Sequence, residues 1–415
     1  MAVDLRISPD ARREYALQRS GQLRQKIRPY LHNSTLIPTG FSLTEEYAAR
    51  REAILKYFGA SDTEWQDWRW QLSHRIADAA TLAALLPLPA EQLAEIQLTG
   101  QTFRWAVSPY YLSLMERTSS EDPIKLQGLP SRRELEDESG QADPMGEAFT
   151  SPAPCVTRRY PDRLIINVTN MCAMYCRHCQ RRRNIGETDR HAPKLQLQAA
   201  LAYVRANPEI RDVLVTGGDA LLLSDQTLDW LLGELQAIPH VEIKRLGTRV
   251  PVTLPMRVTD ELCAVVAKYP PIYINTQFNH PKEVTVEAKQ AADKLIAAGA
   301  VLGNQAVLLK GVNTNPDVMK KLNQELLKIR VRPYYIFHAK NVKGTRHFIP
   351  SIQEGLQVME HLRGYTSGLA VPTYIINAPD GGGKTPLLPQ YLLSLTEEEA
   401  VLRTWEGKIV RYPNH

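Results

Sequence analysis

No apolar run in this sequence approaches the roughly 18 consecutive residues needed to span a bilayer, which excludes a helical membrane protein. The opening MAVDLRISPDARREY lacks the basic-then-apolar order of a secretory signal, so the expected location is the cytoplasm. Cysteine is scarce: there are 5 in 415 residues, Cys155, Cys172, Cys176, Cys179 and Cys263. An odd number with three clustered makes a poor disulfide framework and points to thiolates reserved for metal in a reducing compartment. A strong charge bias is also missing, since 50 Lys and Arg against 45 Asp and Glu leave only +5. The one dense basic stretch is Arg177–Arg183, which by itself reads as a solvated face, a nucleic-acid contact or a grip for a small anion. What is present in quantity is apolar sequence, 43% of residues, enough to bury a barrel-sized core with additions.

Residues 1–150 read as mainly helical and irregular. Leu43–Tyr57 and Trp65–Leu86 carry apolar residues at helical spacing, the second ending at Pro87 and Pro89. Composition shifts to Ser, Glu, Asp, Gly and Pro over 117–154, a loop-rich connection suited to a domain boundary. From Leu164 short β-branched runs alternate with helical patterns. The runs are Leu164–Thr169, Val213–Thr216, Ile243–Thr248, Ile272–Thr276, Gly303–Leu309 and Pro333–Phe337. Such alternation predicts parallel βα units, arranged as an open doubly wound sheet or as an incomplete barrel. Either way ligands meet the carboxyl ends of the strands. The expected division is 1–150, a barrel over 151–350, and a C-terminal segment over 351–415.

Directly after the first strand comes Cys172-Ala-Met-Tyr-Cys176-Arg-His-Cys179, spaced C-x3-C-x2-C. Thiolates are the ligands that iron–sulfur clusters select. Three on one loop leave the fourth iron of a [4Fe–4S] cluster open to a small molecule. A structural zinc site would need a fourth ligand, and His178, lying between two of the cysteines, is badly placed to serve. The spacing, the aromatic before the second cysteine and the position after a first strand resemble the radical S-adenosylmethionine superfamily. That resemblance implies a partial (βα)6 barrel, S-adenosylmethionine chelated to the open iron, and a 5′-deoxyadenosyl radical. It also implies that Gly217-Gly218-Asp219, at the end of the second strand, holds the methionine amino group.

Tyr374-Ile-Ile-Asn377-Ala-Pro-Asp-Gly381-Gly-Gly-Lys384-Thr385 invites a phosphate-loop reading. Ala378 stands where the first glycine of that motif belongs, and Pro386 and Pro389 forbid the helix that must follow. A flexible loop with one lysine suits a Schiff base to pyridoxal phosphate instead. From about Trp65 to Ser394 the chain resembles the lysine 2,3-aminomutase family. The matching motifs are Asp67-Trp-Arg-Trp-Gln71, Ser108-Pro-Tyr-Tyr-Leu-Ser-Leu114, Arg159-Tyr-Pro-Asp-Arg163, Cys179-Gln-Arg-Arg-Arg183, Gly303-Asn-Gln305 and Gly381–Lys384. The resemblance implies that Lys384 carries the coenzyme, that Arg163 holds its phosphate, and that Arg159 and Tyr160 line it. Arg181 would grip the substrate α-carboxylate, and His178 and Gln305 would lie near S-adenosylmethionine. A homo-oligomer and an unidentified electron donor are implied, with the N-terminal helices as an interface. Relatives that bind a C-terminal zinc use cysteines, and none follows Cys263, so zinc is not expected. Cys155 and Cys263 are expected to be buried and inert.

Lysine-acting members pair two aspartates with the substrate ε-ammonium. The corresponding positions are Lys340 and Asn377. A substrate ammonium facing Lys340 would meet a like charge in a partly desolvated pocket, at a cost of several kcal/mol. A side-chain carboxylate fits, and members with Lys and Asn at these places resemble those acting on glutamate. The expected reaction is interconversion of L-glutamate and β-glutamate (3-aminoglutarate), without nucleic acid or membrane as partner. The alternatives are another amino-acid 2,3-aminomutase, lysine foremost, and a radical enzyme that modifies RNA.

Overall fold

Strands of the barrel region are short and rich in Ile, Leu and Val, and the helices between them bury one stripe. In Asp225–Gln236, for example, Leu228, Leu231, Leu232 and Leu235 are buried at helical spacing, and the Ser224 hydroxyl caps the start by accepting from Thr227 N–H. In the computed structural model, which describes residues 8–379 and 381–414, these elements form one nine-stranded sheet in chain order. It begins with β1 (Val156–Thr157), β2 (Arg163–Thr169), β3 (Asp212–Gly217) and β4 (Ile243–Gly247). It continues with β5 (Ile272–Thr276), β6 (Val301–Leu308), β7 (Arg332–His338), β8 (Thr373–Ala378) and β9 (Gly383–Pro386). Strands β2 to β8 run parallel, each beside the next, while β1 and β9 cover the two edges antiparallel. The result is a curled, open half-barrel with helices outside. The six expected strands are β2 to β7, and β8 carries the parallel run one strand further. A separate antiparallel sheet follows, of β10 (Leu392–Leu395), β11 (Glu399–Arg403) and β12 (Ile409–Pro413).

Two local expectations are corrected. The periodicity over Trp65–Leu86 is not one helix but short ones, Trp68–Ser73 and Ala79–Leu85 following Asp62–Gln66. Asp67 and Asp78 each turn a side-chain oxygen onto a backbone N–H two or three residues on, restarting the helix each time. The glycine-rich lysine segment is a hairpin and not a free loop. Lys384 lies in β9, where it faces Asn377 of β8, and the open backbone edge of β8 is thereby paired.

The 117–154 connection straps the mouth of the half-barrel. Glu134, fully buried, accepts from Arg177 Nε (3.0 Å) and Nη2 (2.6 Å) and from Arg182. The Asp137 carboxylate accepts the backbone N–H groups of Gly344 (2.9 Å), Thr345 (3.0 Å) and Arg346 (3.1 Å). Gln141 exchanges backbone hydrogen bonds with Asn341 and Lys343. One acidic segment thus ties the cysteine loop to the loop after β7. Removing a partner from a buried pair strands the remaining charge, so Glu134→Ala is expected to cost about 3–5 kcal/mol of unfolding free energy. Urea denaturation checks this, and a loss below about 1 kcal/mol would show that Arg177 and Arg182 find water instead.

Candidate active site

Alternate residues of the strands face away from the helices and line one cavity on the concave side of the sheet. Arg163 and Ile165 of β2, Leu214 and Thr216 of β3, Arg245 of β4, Asn275 of β5, Gln305 and Val307 of β6 and Phe337 of β7 all contribute. The loops at the carboxyl ends complete it, and every residue singled out from the sequence lies on its wall: Cys172, Cys176, His178, Cys179, Arg181, Gly217, Gly218, Asp219, Lys340, Asn377, Lys384, Arg159, Tyr160, Arg163 and Gln305.

At one end sits the cysteine loop. Gly217 and Gly218 let the end of β3 touch it: a Cβ on Gly218 would stand 2.3 Å from the Met171 carbonyl oxygen, and Gly217 has φ +133°. Asp219 is buried and accepts from Thr248 Oγ1 (2.5 Å), Arg249 N–H (2.7 Å) and Leu221 N–H (3.1 Å). Its carboxylate therefore already fixes the end of β4, with burial pushing its pKa up. Burial likewise pushes up the thiols of Cys172 and Cys179, so bare thiolates are disfavoured there without a partner of positive charge. Arg249, at the end of β4, donates from Nη1 to Cys176 Sγ (2.8 Å) and is anchored on Glu283 (2.8 Å) and Gln127 (2.6 Å). Among the described residues no three His, Cys, Asp or Glu side chains converge on a single point, as a mononuclear ion requires. Three cysteine sulfurs on one loop, all lining the cavity, are the soft donors that an iron–sulfur cluster takes, so the chemistry of the donor set fits such a cluster. His178 is buried and held neutral by desolvation, and its Nδ1 has no partner.

At the other end the two lysines flank one ring. Lys340 Nζ lies 5.1 Å and Lys384 Nζ 5.5 Å from the centre of Phe337, with Tyr335 4.9 Å from Lys384. The Tyr160 hydroxyl accepts the backbone N–H of Lys384 (2.9 Å), and the Arg163 guanidinium stacks on the Tyr160 ring at 3.9 Å. Burial, then Arg245, Arg163 and Arg159, lower Lys384 to about 8. A lysine so poised gives up its proton easily enough to attack a carbonyl, which fits a pyridoxal coenzyme. Burial, then Arg181, Arg159 and Lys384, lower Lys340 to about 7. Lys340 donates to Gln180 Oε1.

Among the described residues the wall carries seven cations, Arg159, Arg163, Arg181, Arg245, Arg249, Lys340 and Lys384, and one carboxylate, that of Asp219. Five buried polar atoms on it have no partner among the described residues: Arg159 Nη1, His178 Nδ1, Asn275 Nδ2, Thr276 Oγ1 and Asn377 Nδ2. Such orphans are rare inside proteins and mark where ligand atoms belong. The arginines of the basic run are paired with carboxylates of the 117–154 connection. Arg181 rests its Nε (3.2 Å) and Nη2 (3.0 Å) on Glu147, Arg183 pairs with Asp143 (3.0 Å), and Arg177 and Arg182 share Glu134. Cys155 and Cys263 are only partly buried, contrary to expectation.

Sequence reasoning missed Glu147, Gln180, Arg245 and Arg249. Arg249 was within reach, since it follows a strand end where such folds place functional groups. Glu147 was not, because nothing local links it to Arg181, 34 residues on.

Residues 166–320 match the model of the Radical SAM superfamily, and residues 359–415 that of Lysine-2,3-aminomutase. The chain is 56% identical over 396 residues to the glutamate 2,3-aminomutase of Clostridioides difficile (strain 630), covering 95% of this chain and 94% of that one. It is 46% identical over 364 residues to the L-lysine 2,3-aminomutase of Clostridium subterminale, covering 88% and 87%. Among the described residues no helix is long and apolar enough to cross a membrane.

Anaerobic reconstitution tests the donor set. Cys172→Ser, Cys176→Ser and Cys179→Ser should each lose most iron per chain, whereas Cys155→Ser and Cys263→Ser should keep it. Iron retained at any of the first three would remove that residue from the ligand set.

Proposed function

This chain belongs to the lysine 2,3-aminomutase family of radical S-adenosylmethionine enzymes, and on that premise we propose that it moves the amino group of L-glutamate from C2 to C3. Membership makes it an isomerase, an aminomutase that depends on S-adenosylmethionine and a [4Fe–4S] cluster. The observation that carries the substrate is that Lys340, just after β7, and Asn377, near the end of the adjacent β8, line the same cavity.

When bound, the cluster, S-adenosylmethionine and pyridoxal phosphate would supply a hydrogen-abstracting radical and a conjugated ring that tolerates an unpaired electron. Cys172, Cys176 and Cys179 would hold the cluster, and Gly217, Gly218, Asp219, His178 and Gln305 would bound the S-adenosylmethionine space. Lys384 would carry the coenzyme beside Tyr160, with Arg163 and Arg159 against its phosphate; a guanidinium fork suits that role. Arg181, held by Glu147, would take the α-carboxylate. That leaves the far end of the substrate facing Lys340 and Asn377. Asn377 and Lys384 are opposed across the β8–β9 ladder, which puts their Cβ atoms about 5 Å apart. Asn377 therefore stands beside the lysine that would hold the coenzyme, where it could meet the far end of a substrate. An ammonium there would add a charge to seven cations. A carboxylate neutralises Lys340 and can accept from the unpartnered Asn377 Nδ2. Opposite charges about 4 Å apart at an effective dielectric near 20 gain ~4 kcal/mol, and like charges lose as much. Aspartate would fall short of Lys340 once Arg181 held its other end. Exposed Tyr15, Leu17 and Leu36 on helix Pro9–Leu36 support a homo-oligomer, and the electron is expected to come from a separate donor.

The test is charge reversal. In the loaded enzyme Lys340→Asp with Asn377→Asp should cut kcat/KM for glutamate at least about a hundredfold and raise it for lysine. Unchanged preference would overturn the pocket assignment. Lys384→Ala should lack the absorption band that coenzyme gives when bonded to a lysine.

The pH dependence has a definite sign. A carboxylate ligand favours protonated Lys340, whose pKa in the free protein is about 7, so affinity should be highest below pH 7 and fall as pH rises through it. Measured as the ratio of glutamate to norvaline dissociation constants, that fall should vanish in Lys340→Met.

A further inference from the structure

Gln180 stands between two groups to which the reading above gives roles: Cys179 precedes it and Arg181 follows it. Its side chain reaches Lys340, 160 residues away, and accepts from Nζ. A lysine ammonium has donors only, so the amide oxygen must be the atom that faces it. That fixes the orientation of the amide and leaves the Nε2 group as a donor, which has no acceptor among the described residues. Lys340 itself is half-buried and surrounded by cations, with Arg181, Arg159 and Lys384 all repelling it. Such an ammonium would be driven to lose its proton or swing away without a neutral acceptor holding it. A carboxylate at the same place would neutralise Lys340 and cancel its use, whereas an amide keeps the charge available.

We propose that Gln180 is a specificity-determining residue which, resting on the glutamate reading, completes a receptor for the substrate side-chain carboxylate with Lys340 and Asn377. The amide oxygen of Gln180 positions the Lys340 ammonium. The two amide NH2 groups, Gln180 Nε2 and the buried, unpartnered Asn377 Nδ2, stand ready to donate to the carboxylate oxygens. A planar carboxylate accepts about four hydrogen bonds, which an ammonium and two amides can largely supply. An ammonium-bearing substrate meets the like charge of Lys340 and the donor ends of two amides, so the same three groups disfavour it.

The experiment uses enzyme loaded with cluster and coenzyme but without S-adenosylmethionine, so that no turnover occurs. L-glutamate, L-norvaline and L-lysine are titrated while the coenzyme absorption reports binding, and iron per chain is measured for each variant. Gln180→Leu should weaken glutamate about tenfold and leave norvaline, which lacks the carboxylate, within about twofold. Gln180→Glu, the same shape with an anion against Lys340, should abolish the preference for glutamate over norvaline. If Gln180→Leu loses iron or fails to fold, the Glu variant decides the matter. Parallel weakening of glutamate and norvaline, or an unchanged glutamate constant, overturns the assignment of Gln180 alone. Tighter binding of lysine than glutamate by the unaltered enzyme overturns the glutamate reading itself, and this receptor with it.

Discussion

Seven cationic side chains around one water-poor cavity repel one another, and the rest of the site is organised to hold them there. The repulsion is visible in Lys340, brought to about 7, and in Lys384, brought to about 8, each by burial reinforced by neighbouring cations. Carboxylates behind the wall offset part of it: Glu147 under Arg181, Glu283 behind Arg249, Asp212 beside Arg245 at 2.7 Å. What remains is an unsatisfied demand for anions. Anionic ligands, such as the phosphate and the two carboxylates of the proposed reaction, would meet it, and a substrate ammonium would make it worse.

The fold supplies the rigidity that such an arrangement needs. Parallel strands bring residues distant in sequence to one concave face, and the cysteine loop is pressed against the end of β3 because Gly217 and Gly218 have no side chains to hold it off. The acidic strap from Glu134 to Glu147 crosses the mouth and neutralises the basic run of the cysteine loop. At the far edge the β8–β9 hairpin sets Lys384 and Asn377 opposite each other, so the residues proposed to hold coenzyme and substrate are positioned by one ladder.

The parts legible in the sequence were those whose chemistry is local. Three cysteines within eight residues and β-branched runs alternating with helical ones each carry their meaning in their own spacing, whereas the reading of Lys384 leaned on family resemblance. Lys340 and Asn377 could be read only through family resemblance. The strap was invisible, because Glu134, Asp137 and Glu147 sit in a stretch whose composition says only loop, and their partners lie 34 to 209 residues away. The contact of Arg249 with Cys176 spans 73 residues and follows from how β4 packs beside β3. The hairpin at Lys384 was missed because glycines that permit a flexible loop permit a tight turn equally well.

The central claim is that this cavity takes a substrate with a carboxylate at both ends. Its most direct test is anaerobic incubation of the cluster-reconstituted enzyme with pyridoxal phosphate, S-adenosylmethionine, dithionite and carbon-13-labelled glutamate or lysine, read by NMR. The account predicts that label from glutamate appears in 3-aminoglutarate while lysine is returned unchanged. Formation of β-lysine, with glutamate inert, would contradict it.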